Sequence, residues 1–161
     1  MAVDHADAVQ RPARIFMLPP PLYFVLAFAA ATALNHFVPF PFADFPGRVV
    51  LGIALIVAGI ACAPLLAAAF VARRTSLNPF GTPSVLMTGG LYRLSRNPMY
   101  LGVVLIYLGG CLLVQSLWPL PLLLLPLGLL DRVVISYEEA SMQRTFGSAY
   151  DTYRARVRRW L

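Results

Sequence analysis

NPMYLGVVLIYLGGCLLVQSLWPLPLLLLPLGLL, residues 97–130, runs for 34 positions without a charged side chain. As one α-helix it would reach about 51 Å, well past a hydrocarbon core of about 30 Å, so it must fold back on itself. The reversal belongs at Gln115, Ser116, Trp118, Pro119 and Pro121, because proline opposes helix continuation and tryptophan favours the membrane interface. Uncharged stretches at 16–34 and 49–72 are each long enough to cross once. The spacing predicts spans at 16–37, 48–72, 98–116 and 118–136. The expected fold is all-α: a single-domain integral membrane bundle of about four transmembrane helices.

Composition agrees. Of 161 residues, 59% are apolar and 12% are charged, and every one of the 13 basic residues is an arginine. Arg11 and Arg14 precede span one, and Arg73, Arg74, Arg93 and Arg96 lie between spans two and three. Arg132, Arg144, Arg154, Arg156, Arg158 and Arg159 follow span four, and only Arg48 falls on the opposite side. Retention of basic residues on the inner face predicts cytoplasmic termini, with a bacterial inner membrane as the expected location. The net charge of +6 therefore describes topology and anionic headgroups, not nucleic acid. Arg11, Arg14 and the following apolar run have the form of a secretory signal. Pro19, Pro20 and Pro21 interrupt that run, and the span is expected to stay. Cys62 and Cys111 sit singly in apolar spans, and His5 and His36 lack ligand spacing, so neither a metal site nor a disulfide is expected.

Residues 73–97 make a loop too long for a simple turn. Asn78, Pro79, Gly81, Thr82, Pro83, Gly89 and Gly90 favour turns, while Phe80, Val85, Leu86 and Leu91 can press the loop onto the membrane, which predicts an ordered cytoplasmic cap. Asn97 before Pro98 signals a helix start, with asparagine expected to accept an amide hydrogen bond. The positive helix end, Arg93 and Arg96 together favour an anionic group, and Tyr92 and Tyr100 add ring faces and hydroxyls. Read alone, the same arginines serve equally well to set topology or meet phosphate headgroups.

Glu138 and Glu139 are expected at the exit of span four, about 100° apart on the helix, so one pocket would take one more readily than both. Asp131, seven residues earlier, lies on nearly the same face as Glu138 or pairs with an arginine; solvation or salt bridging is the bland account of all three. Beyond them Met142, Phe146, Tyr150, Tyr153, Val157 and Trp160 recur every three or four positions. The spacing predicts an amphipathic interfacial helix that Gly147 can divide.

Four segments in order, Gly90-Leu91-Tyr92, Arg96-Asn97-Pro98-Met99-Tyr100-Leu101-Gly102, Glu138-Glu139 and Phe146-Gly147-x-x-Tyr150-x-x-Tyr153, resemble the isoprenylcysteine carboxyl methyltransferase family and its phospholipid methyltransferase relatives. The similarity covers about residues 73–161 and is that of a short, bacterial-type member. It implies an S-adenosylmethionine-dependent enzyme whose cofactor enters from the cytoplasm and whose lipophilic acceptor arrives through the bilayer. Tyr92, Arg93, Arg96, Asn97, Pro98, Tyr100 and Gly102 would hold the methionine part of the cofactor, and Glu138 or Glu139 its ribose hydroxyls or ammonium. Arg96 or Arg132 would orient an acidic substrate at the reacting end, with Glu138 beside them. Asn97 stands where many relatives carry histidine and Leu91 where many carry proline, so no imidazole role transfers. Two other classes fit parts of the pattern: an NADPH-dependent membrane reductase of the sterol reductase type, and a non-enzymatic lipid- or partner-binding bundle. A glycine-rich dinucleotide fingerprint is missing for the first.

Overall fold

A computed structural model describes residues 19–72 and 85–161. Arg11, Arg14, Arg73, Arg74, His5, the turn-forming residues at 78–83 and the first positions of span one lie outside the described residues. The architecture is all-helical: α1 (Pro20–Phe37), α2 (Arg48–Ala72), a short 3₁₀ turn (Gly90–Arg93), α3 (Pro98–Val114), α4 (Pro119–Leu129), a π-helical segment (Leu130–Ile135), α5 (Ser136–Phe146) and α6 (Ser148–Arg156). The helices of residues 48–69 and 119–146 are long and apolar enough to cross a membrane. Leucine, isoleucine and valine side chains such as Val50, Val57, Leu124 and Leu125 cover the outside, as lipid-facing surfaces require.

α2 and α3 approach closely because glycines face one another across them. A Cβ built on Gly59 would lie 2.4 Å from the Gly102 carbonyl oxygen, and one on Gly109 would lie 2.5 Å from that of Gly52. Lipid offers no hydrophobic drive for helix association, so such backbone approach and the dispersion contacts it permits hold the pair together. α1 and α4 close the other side of a core formed by Phe24, Tyr100, Tyr107, Leu123, Leu130, Val134 and Ile135, against which Trp160 also packs.

The reversal falls where expected, and side chains fix it. Gln115 adopts a left-handed conformation at φ 50° and ends α3. Asn35 Oδ1 accepts hydrogen bonds from the Ser116 hydroxyl and the Phe40 amide, both at 3.0 Å. The Trp118 indole donates to Val38 O at 2.7 Å. Arg48, the exception in the arginine pattern, donates to Leu112 O and Leu113 O at the end of α3 and pairs with Asp44 at 2.7 Å. It caps carbonyls that the helix itself leaves unpaired.

The fourth span differs from expectation. The helix that starts at Pro119 continues through the π-helical segment to Phe146, so Glu138 and Glu139 lie within it instead of beyond its end. The π-helical turns also alter the angular offset between Asp131 and Glu138 from the α-helical value. The amphipathic tail is likewise divided: Gly147, at φ 50°, separates α5 from α6, and residues beyond Val157 leave the helix.

Candidate functional site

The site is assembled at the end of the bundle where α3 begins and α5 projects. Gly90 takes φ +60°, a conformation glycine adopts without strain, and starts the turn that presents Tyr92 and Arg93. Pro98 opens α3 as anticipated. Asn97 does not cap it: its side-chain amide donates to Arg159 O at 3.0 Å, and its backbone amide donates to the Ser95 hydroxyl at 3.0 Å. The tail's carbonyl draws the asparagine away from the cap position, and the Ser95 hydroxyl donates to the same oxygen at 3.1 Å.

Arg96 reaches from this turn to Glu139 Oε1 at 2.8 Å and to the Tyr150 hydroxyl at 3.3 Å. Arg159 clamps the same carboxylate with two nitrogens, Nη2 to Oε2 at 2.5 Å and Nε to Oε1 at 3.2 Å, while its Nη1 meets Asp131 Oδ2 at 3.1 Å. Trp160 Nε1 donates to the other Asp131 oxygen at 3.1 Å. Glu138 is served differently: the buried Tyr100 hydroxyl donates to its Oε1 at 2.6 Å. The two neighbouring acids therefore have separate partners, one a neutral phenol and the other two guanidinium groups.

The surroundings explain the electrostatics. Burial, then the Glu138 charge, then Tyr153 push the Tyr92 phenol upward. Burial and then Tyr150 raise the Tyr153 phenol to about 12, against the opposing effect of Arg96, and its hydroxyl donates to Tyr92 O at 2.8 Å. Hydrogen bonding to Glu139 is the first cause holding the Arg159 guanidinium above its ordinary value. Through these contacts two guanidiniums meet two carboxyl groups, Asp131 and Glu139, while Glu138 makes no ion pair among the described residues and is held by the Tyr100 hydroxyl alone. The Arg96 Nε is buried without a hydrogen-bond partner among the described residues. One cationic and one anionic group on the same ligand would complement both features.

Arg96, Tyr100, Glu138 and Glu139 are thus brought together, with Tyr92, Asn97 and Pro98 forming the adjoining turn and helix start. Other expected members are placed elsewhere. Gly102 packs on the Gly59 carbonyl and Cys62, where a helix contact accounts for it. Arg93 is exposed and lines a separate cleft of ≈ 440 Å³ with Thr88, Thr152, Tyr153 and Arg156. Arg132 is exposed and makes no ion pair among the described residues. Ser95 and Arg159 enter the site unannounced, since neither stands in a motif nor in a helical period.

Apolar helices of spanning length with a charged cluster at one end of the bundle define an integral membrane protein. The sequence pattern of the phospholipid methyltransferase family matches residues 47–149, from the start of α2 into α6, and the chain belongs to that family. Membership makes it a membrane methyltransferase in general class. No curated protein and no solved structure gives a match.

Proposed function

We propose that this protein transfers a methyl group from S-adenosylmethionine to a small lipophilic or lipid-like acceptor, and that the cluster around Arg96, Glu138 and Glu139 holds the donor. The observation that carries the reading is the convergence of a carboxyl group without an ion pair among the described residues, Glu138, and an unpartnered Arg96 Nε within one family-matched membrane fold. The donor is itself a zwitterion bearing an additional sulfonium charge, so the residue chemistry fits it. Arg96 would bind its carboxylate, and Glu138 or Glu139 its ammonium or ribose hydroxyls, with Tyr92, Asn97, Pro98 and Tyr100 shaping the turn around it. When bound, it supplies an already activated methyl group.

The chain's contribution is then alignment and exclusion of water, and no covalent nucleophile on the protein is required. Tyr100 holds Glu138 from inside the core, and the shell formed by Tyr92, Tyr150 and Tyr153 limits solvent beside the arginine. The acceptor reaches the site from the bilayer, since the family core is built into apolar helices. The same reading takes α1 to α4 as four crossings, with the site and both chain ends on the cytoplasmic side of a bacterial inner membrane.

Calorimetric titration of the detergent-purified protein with S-adenosylhomocysteine tests the donor. Saturable binding that weakens about tenfold or more in Arg96→Ala and Glu138→Gln is expected, because each removes a hydrogen bond to a charged group. A folded wild-type protein that binds reduced nicotinamide cofactor and not S-adenosylhomocysteine would overturn the assignment. Incubation of lipid extracts with radiolabelled donor would then identify the acceptor.

A further inference from the structure

The two arginines on Glu139 are not equivalent. Every nitrogen of Arg159 has a partner: Nε and Nη2 on Glu139, and Nη1 on the side chain and backbone carbonyl of Asp131. Arg96 uses Nη1 for Glu139 and Tyr150, and its buried Nε has no partner among the described residues. Arg159 thus commits each of its nitrogens to the two acids, whereas Arg96 keeps a nitrogen with a donor left for a ligand.

The backbone around Arg159 is pinned on both sides. α6 ends at Arg156, Val157 after it is extended, and residues 158 and 159 then meet the residues just before α3. Arg158 O accepts from the Arg96 amide at 3.0 Å. Arg159 O accepts from the Ser95 hydroxyl at 3.1 Å and from the Asn97 side chain at 3.0 Å. Trp160 packs on the core and bonds Asp131. These contacts tie the tail to the same three consecutive residues, Ser95, Arg96 and Asn97, that bring Arg96 into the site. Asp131 lies within the π-helical segment and Glu139 in α5 beyond it, and the Arg159 fork bridges them.

We infer that residues 158–160 form a strap belonging to the binding site, in which Arg159 is a positioning residue: it fixes the Glu139 carboxylate, and Glu139 in turn aims the Arg96 guanidinium at an anionic group of the ligand. The inference rests on the donor-binding reading above and adds to it a residue that lies beyond the family-matched region at 47–149. A planar fork that spans two acids is a task lysine performs only in part, because an ammonium is a point charge without paired donors.

The test is calorimetric titration of the full-length protein with S-adenosylhomocysteine, comparing wild type, Arg159→Ala and Arg159→Lys, with melting temperature recorded for each. The Arg159→Ala titration is repeated with methylguanidinium at tens of millimolar. The expected result is affinity about tenfold lower in Arg159→Ala, an intermediate value for Arg159→Lys, and partial recovery on adding methylguanidinium. Recovery by a small cation is a response that mere loss of folding would not give. Unchanged affinity in Arg159→Ala overturns the inference, and so does a loss that neither lysine nor methylguanidinium repairs. Should Arg159→Ala fail to fold, Arg159→Lys decides: weaker binding at wild-type melting temperature supports the role, and equal binding refutes it. If wild type itself does not bind, the donor reading falls and carries this one with it, whereas a binding wild type with an indifferent Arg159→Ala removes the strap alone.

Discussion

Replacing Gly59 with alanine tests the seam on which the site is mounted. The new methyl carbon would sit 2.4 Å from the Gly102 carbonyl oxygen and 2.7 Å from Ile106 Cγ1. That is about 0.9 Å inside the roughly 3.3 Å at which carbon and carbonyl oxygen settle, and the obstacle is backbone, which no rotamer change removes. α2 and α3 must separate, at a typical overpacking cost of about 1–3 kcal/mol, offset by about 0.5–1 kcal/mol from the better helix propensity of alanine. A net loss of about 1–2 kcal/mol is expected. Gly128→Ala is the control, since a Cβ there meets nothing within 4 Å, and it should be neutral or stabilising by up to about 1 kcal/mol. Thermal unfolding in detergent, followed with a thiol-reactive fluorophore, reads both. Cys62 lies against Gly102, so separation should also speed its labelling below the melting transition. Gly59→Ala melting at or above wild type, or Gly128→Ala losing as much as Gly59→Ala, would refute the account of the interface.

Tyr100→Phe removes the 2.6 Å hydrogen bond to Glu138 and should lower stability by about 1–2 kcal/mol while weakening S-adenosylhomocysteine binding; wild-type values in both measurements would contradict the role given to that pair. Asn35→Leu leaves the buried Ser116 hydroxyl without its acceptor and frees the Phe40 amide, so chemical denaturation should show a loss of about 1–3 kcal/mol. Tyr153 is raised above its unfolded value of about 10 to about 12, so its contribution is complete below pH of about 10 and is lost as pH rises through 12. Absorbance titration at alkaline pH should therefore show a late-ionising phenol that Tyr153→Phe abolishes, and the variant's stability should depend less on pH across that interval.

Helix positions and the reversal after α3 were legible because the physical signals behind them are local. An uncharged run too long for the bilayer, interrupted by Gln115, Ser116 and Trp118, leaves little alternative to a hairpin, and the structure turns there. The arginine pattern could not explain Arg48, whose partners Leu112 and Leu113 are 64 and 65 residues away. Asn97 shows the opposite limit. Sequence chemistry offered a cap, but the outcome depended on a carbonyl at Arg159 that the tail delivers from 62 residues away. The continuation of the fourth helix to Phe146 was hidden for a related reason. Charged residues after Ile135 resemble a helix exit when read for hydropathy, yet backbone hydrogen bonding carries the helix on past the apolar part. Gly102 was attributed to a ligand because its motif adjoins the site, while the contact that accounts for it comes from Gly59 on a different helix.

The two acids gain their separate environments from this same geometry. Adjacent residues on a helix point about 100° apart, so Glu138 turns toward the bundle and meets Tyr100, while Glu139 turns toward the loop and tail and meets arginine. A carboxylate facing the core is tolerated because a hydroxyl anchored in that core solvates it. One facing the turn is tolerated because two fixed cations offset it. The Glu-Glu dipeptide thus shows one acid to the core and the other to the turn and tail, and its helix must extend beyond the apolar span for the second set of partners to be reached.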